Sequence, residues 1–101
     1  MSEKRQHPRL AVDLEALVTV EGNEEPIHGR VRDLSIGGMF FVGEQLQFGA
    51  NVKVSIAFPK PSGTLVFPAI VRWRADDGSG LQFGLVGAKE THAIAQALRK
   101  R

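Results

Sequence analysis

Asn51 to Phe58 is the stretch that most narrows the choice of fold. Val52, Val54, Ile56 and Phe58 fall on one side of an extended chain, with Lys53 and Ser55 on the other, the period-two alternation of a half-buried strand. Comparable short runs recur along the chain. Ala16 to Val20 predicts a first strand, Ile27 to Arg32 a second, Met39 to Val42 a third, Thr64 to Trp73 a long fifth and Leu81 to Val86 a sixth. Leu10, Val12 and Leu14 alternate with Ala11, Asp13 and Glu15 as a lead into the first. Turn-rich segments separate the runs: Glu21 to Pro26, Gln45 to Gly49, Pro59 to Gly63, and the hairpin signal Asp76-Asp77-Gly78-Ser79-Gly80. Pro68 lacks a ladder N–H, so the fifth run must bend, bulge or lie at an edge there. About six strands at such short spacing predict an antiparallel barrel or sandwich. Ala88 to Lys100 is helical in composition, with Ile94 and Leu98 four apart and Thr91 and Ala95 beside them. That narrow apolar stripe predicts a short helix covering one opening or edge of the sheet structure.

A chain of 101 residues, 43% hydrophobic and 24% charged, is one domain with enough apolar material for its own core. The absence of cysteine removes disulfides and thiolate zinc sites and agrees with a reducing, cytoplasmic setting. No apolar run approaches the roughly 20 residues that cross a bilayer, and Met1-Ser2-Glu3-Lys4-Arg5 leads into no signal-peptide core, so no membrane insertion is expected. A net charge of +2 is small for a protein that wraps nucleic acid through its phosphates, and DNA is not an expected partner. The placement of the charge is more informative: Lys4, Arg5 and Arg9 crowd the start, Arg30 and Arg32 precede Asp33, and Arg72 and Arg74 bracket Trp73.

Between the second and third strands stands Asp33-Leu34-Ser35-Ile36-Gly37-Gly38. In an extended chain Asp33 and Ser35 project to the same side, a carboxylate beside a hydroxyl. Val31 has odd parity whereas Leu34 and Ile36 are even, so simple pairing cannot bury all three; a bulge or strand end near Asp33 is expected. Gly37 and Gly38 fit such a corner, since glycine supplies positive φ angles and lets another molecule approach the backbone closely. The same residues are also ordinary turn chemistry, with the side chains bonding their own backbone. At the start of the chain, residues 1–9 contain almost nothing apolar, and Pro8 disfavours helix at His7, so a flexible extended arm is expected.

Catalysis finds little support. His7, His28 and His92 lie in separate elements, and neither a phosphate-binding glycine loop with its lysine nor a G-x-S-x-G elbow occurs. Asp76-Asp77 before Gly78 is explained by a turn. A binding module fits better. Arginine grips phosphate with a planar fork, pairs with the O6 and N7 edge of guanine, or stacks on a base. A carboxylate accepts from the N–H groups of guanine, and a hydroxyl with glycine N–H groups suits phosphate oxygens. Trp73 is either a stacking surface or simple barrel packing.

The order Arg5-x-x-x-Arg9, one strand, Asp33-x-Ser35-x-x-Gly38, an apolar strand, then Trp73 with Gly80-Leu81-Gln82-Phe83 resembles the PilZ domain, a bacterial receptor module for cyclic di-GMP. The resemblance covers nearly the whole chain. It implies an all-β dominated fold, a six-stranded antiparallel β-barrel of split-barrel type over residues 10–101 with a C-terminal α-helix at about 88–100, preceded by the arm of residues 1–9. It implies a ligand, cyclic di-GMP, and no cofactor. Arg5 and Arg9 would clamp its guanines and phosphates, Asp33 and Ser35 would bind it from the barrel surface, and Gly38, with Gly37 beside it, would permit the turn and close approach. Trp73 matches an aromatic position seen in some members, and Lys4 stands where many relatives have another arginine. On this reading the arm folds over the ligand, and a separate, unidentified downstream protein recognises the closed form. Two rivals are an adaptor of the same fold that binds protein whatever the nucleotide level, and a small barrel binding single-stranded RNA through Arg72, Trp73 and Arg74.

Overall fold

The computed structural model describes residues 9–99. Its elements are β1 (Leu10–Val20), β2 (Ile27–Ser35), β3 (Gly38–Val42), β4 (Asn51–Ala57), β5 (Thr64–Ala75), β6 (Gly78–Phe83) and α1 (Ala88–Arg99). All neighbouring strands are antiparallel and run β1-β2-β3-β6-β5-β4 around a closed barrel, β4 pairing back onto β1. Closure gives every strand a neighbour on both sides over at least part of its length, which separates this architecture from a sandwich of two open sheets.

Alternation fills the barrel. In β4, Val52, Val54 and Ile56 are buried and Asn51, Lys53 and Ala57 exposed, as the period-two pattern requires. Val18 of β1, Val31 and Leu34 of β2, Met39 and Phe41 of β3, Phe67 and Val71 of β5 and Leu81 of β6 are fully buried as well. Phe67 stacks on Phe83 with ring centroids 4.8 Å apart and meets Phe58 at 6.0 Å.

Several boundaries differ from the pattern-based ones. β1 begins at Leu10 rather than Ala16, because its first half pairs only with β2: Leu10 faces Leu34 and Ala11 faces Asp33, whereas pairing to β4 starts at Ala16. Half-covered Val12 and Leu14 carried too little apolar signal to read as a strand. β5 runs on to Ala75 and β6 starts at Gly78, leaving Asp76-Asp77 as a two-residue turn. The Asp77 carbonyl accepts from the Gly43 N–H at 3.0 Å and its carboxylate takes Arg32 Nη1 at 2.8 Å, so the turn is tied to the β2 and β3 side. Pro68 is not at a bulge; it lies on β5 one residue past the ladder with β6, a local edge. It faces Lys53 of β4, and its carbonyl accepts from Gly84, one residue past the end of β6. The side of Pro68 that lacks an N–H therefore looks beyond the β6 ladder, where no strand partner is asked for.

α1 packs against β2 and β5 with Ala93 and Ile94 buried and Ala97 and Leu98 partly so. Thr91 is not on this stripe; it is exposed, and its Oγ1 donates to the Gly87 carbonyl at 3.0 Å. Glu90 in the first turn and Arg99 in the last complement the helix dipole. Among the described residues no helix is long and apolar enough to cross a membrane.

On the barrel surface Arg30 bonds the Asp13 carboxylate across β1 and β2 and lies 3.9 Å from Glu15. These side chains are 48% to 79% exposed. Water competes for such pairs, so Arg30→Ala is expected to change stability by less than about 1 kcal/mol in urea denaturation.

Candidate functional site

The site is built by register. Because Leu10 pairs with Leu34 and Ala11 with Asp33, the residue just before β1, Arg9, emerges beside Asp33. Its guanidinium grips that carboxylate, Nε donating to Oδ1 at 3.1 Å with Nη2 at 2.9 Å from the same oxygen. The pair is only partly open to water, with side-chain exposures of 19% and 26%. The other neighbour of Arg9 is Trp73, whose ring centroid lies 5.5 Å from the guanidinium carbon. A cation so placed is attracted by the negative face of the indole, a contribution of about 0.5–1 kcal/mol.

Two bulges aim these groups. Val31 and Asp33 have the same parity, as do Val71 and Trp73, and an unbroken ladder would send all four into the core. The β2–β3 register shifts between Val31 and Asp33, and the β5–β6 register shifts between Val71 and Trp73. Each extra residue, Arg32 or Arg72, turns the next side chain outward. Val31 and Val71 are fully buried, whereas Trp73 is 42% exposed. The bulge expected near Asp33 is therefore present, and the strand end follows at Ser35. Trp73 lies outside the barrel core.

Across the outer surface the pairings form one row from β2 to β5. Asp33 faces Phe40, Phe40 faces Gly80, and Gly80 faces Trp73. Phe40 is almost fully buried, yet it lies under the Arg32 guanidinium at 4.0 Å rather than in the barrel core. Phe40 and Gly80 are the members of the row that sequence reasoning missed. A parity argument at Val71 and Trp73, like the one at Val31, would have pointed to the second bulge; the pairing that joins the two hairpins, Phe40 with Gly80, is non-local.

Ser35 faces Gly38 across the turn that closes β2 and β3. Its hydroxyl accepts from the Gly37 N–H at 3.2 Å and donates to the Gly38 carbonyl at 3.4 Å. In this state the hydroxyl serves its own turn. Positive φ occurs at Gly22, Gly49 and Gly63 in loops rather than at Gly37-Gly38. What Gly38 supplies is close approach: a Cβ there would collide with the Leu81 carbonyl oxygen of β6. Arg72 and Arg74 are exposed on β5, Arg72 Nε donating to Gln82 at 2.8 Å and Arg74 Nη2 to Gln45 at 3.1 Å. Lys4 and Arg5, with the rest of the expected arm before Arg9, lie outside the described residues, as does Lys100 at the expected helix end.

A family model described as the PilZ domain matches residues 3–99. The chain belongs to the PilZ domain family. Solved structures share this PilZ barrel at low identity. The PilZ domain of YcgR from Escherichia coli, solved with c-di-GMP, is 16% identical with a TM-score of 0.73, the match covering 97% of this chain and 96% of that one. The MrkH–c-di-GMP complex of K. pneumonia is 15% identical with a TM-score of 0.78, covering 98% of this chain and 52% of the other. MotI/DgrA, an inhibitor of motility from Bacillus subtilis, is 22% identical with a TM-score of 0.72, covering 99% of this chain and 54% of the other. The present PilZ chain thus spans about half the length of MrkH and MotI. No curated protein matches it.

Proposed function

We propose that this chain is a receptor for cyclic di-GMP, binding it where Arg9, Asp33 and Trp73 converge and passing the signal to a separate protein. One observation carries the reading: the second arginine of R-x-x-x-R and the aspartate of D-x-S-x-x-G, far apart in sequence, are joined by charge-assisted bonds at 2.9–3.1 Å beside an exposed indole. The c-di-GMP complexes of YcgR and MrkH, which share the barrel, support the choice of ligand.

Both Arg9 contacts fall on Oδ1 of Asp33, so Oδ2 is the oxygen that meets the ring and exocyclic N–H donors of guanine. Arg9 presents its remaining donors to the guanine O6 and N7 edge or to a phosphate. Arg5, four residues earlier, supplies a second fork from the arm, and Lys4 adds charge without a fork. Ser35 and the Gly37 N–H exchange their local bond for phosphate oxygens. Folding the arm over the ligand costs ordering free energy and creates the surface a partner reads.

Isothermal titration of the wild-type chain with cyclic di-GMP is expected to give saturable, exothermic binding, with GTP failing to compete at equal concentration. No heat with cyclic di-GMP at concentrations up to about 1 mM, a free energy of only about 4 kcal/mol, would remove the receptor reading and favour the nucleotide-independent adaptor.

A further inference from the structure

We infer that Gly80 is a positioning residue of this site: the missing side chain on β6 is the seat on which the Trp73 indole lies, turned toward Arg9 and the Asp33 carboxylate. The inference rests on the receptor reading for its ligand consequence, but the seat itself is a property of the free protein.

Asp33 and Trp73 stand on strands separated by β3 and β6, and adjacent strands lie about 4.8 Å apart. A side chain on β5 must therefore reach across β6 to share a guanidinium with one on β2. The cross-strand partner of Trp73 is Gly80. A Cβ built on Gly80 would fall inside the indole, and its three nearest atoms, Cε2, Cζ2 and Cδ2, all belong to that ring. The indole thus occupies the volume where any other residue would carry its side chain. Gly80 has no positive φ, so backbone freedom does not explain a glycine here. On the far side of Gly80 stands Phe40, nearly buried, which continues the apolar floor toward Asp33. Laid flat in this way the indole meets the Arg9 guanidinium and stays 42% exposed. An aromatic ring over a cross-strand glycine also shields backbone, a purely structural benefit. The two roles separate in experiment, because the structural one acts on melting and the positioning one acts on affinity through Trp73 alone.

Trp73 is the single tryptophan of the chain, so intrinsic fluorescence reads this ring directly. In the free protein, Gly80→Ala is expected to shift the emission and raise acrylamide quenching, as the ring leaves its seat, while the melting temperature stays within about 5 °C. Affinity for cyclic di-GMP is expected to fall about tenfold, in line with the loss of one aromatic stacking contact. Added to Trp73→Ala, the same substitution is expected to change affinity no further and to leave the protein folded, since the atoms it collides with are gone. Unchanged emission and quenching in Gly80→Ala would overturn the seat. An equal affinity loss in the Trp73→Ala background, or a double variant that fails to fold, would show that Gly80 acts otherwise than through the indole. Should the wild type bind no cyclic di-GMP, the receptor reading fails, and the fluorescence comparison still decides the seat.

Discussion

Arg9→Ala is expected to weaken cyclic di-GMP binding by about a hundredfold or more in calorimetry. The guanidinium is the group that the geometry commits most fully, bonded to Asp33 by Nε and Nη2 and set 5.5 Å from the Trp73 ring. Hydrogen bonds to charged partners contribute about 1.5–3 kcal/mol each, and 1.4 kcal/mol is a factor of ten in affinity. Losing one such bond to ligand together with the orientation of Asp33 accounts for two decades. In the free protein the same change removes a pair whose side chains are 19% and 26% exposed. Screening by water limits that loss to about 1 kcal/mol, or roughly 4–8 °C in melting temperature. Arg9→Lys sharpens the test by retaining the charge without the planar fork, and an affinity between those of wild type and Arg9→Ala is expected. Wild-type affinity in Arg9→Ala, with a circular dichroism spectrum unchanged, would remove the arginine from the binding reaction.

How far the site could be read from the sequence follows from which interactions are local. The β4 alternation of Val52, Val54 and Ile56 needs only neighbours along the chain, and the strand appears where its period places it. The parity conflict among Val31, Leu34 and Ile36 is equally local, and it located the bulge that turns Asp33 outward. Leu10 to Leu14 reads weakly because one half of β1 has a single strand neighbour and its apolar residues are only half covered. The extra strand length matters, since the Leu10–Leu34 register is what carries Arg9 to Asp33. Ser35, Gly37 and Gly38 admitted both a turn and a ligand from sequence; the turn bonds are present, and Gly38 is needed for contact with β6 rather than for its φ. The Asp33, Phe40, Gly80 and Trp73 row joins two hairpin pairings through one long-range pairing, Phe40 with Gly80, so no short window of sequence contains it.

Phe67→Ala is expected to have the largest effect on stability, about 3–5 kcal/mol in urea denaturation. Phe67 is fully buried, stacked on Phe83 at 4.8 Å and tilted against Phe58 at 6.0 Å. Its three-ring cluster draws on β5, the end of β6 and the residue after β4, so collapse onto the void would require several strands to move together. Domains of this kind are stable by only about 5–15 kcal/mol, and the loss corresponds to a fall of roughly 12–40 °C in melting temperature. Phe67→Leu fills most of the volume and is expected to cost well under half as much. The site should be spared, because Phe67 points inward from β5 whereas Trp73, six residues on and past the bulge, points outward. Cyclic di-GMP at about 100 times its dissociation constant is therefore expected to stabilise Phe67→Ala and wild type by the same increment, about 2.7 kcal/mol. A much smaller increment in the variant would mean that the ring cluster holds the outer row in place, and that the barrel interior and the Arg9–Asp33–Trp73 surface are energetically coupled.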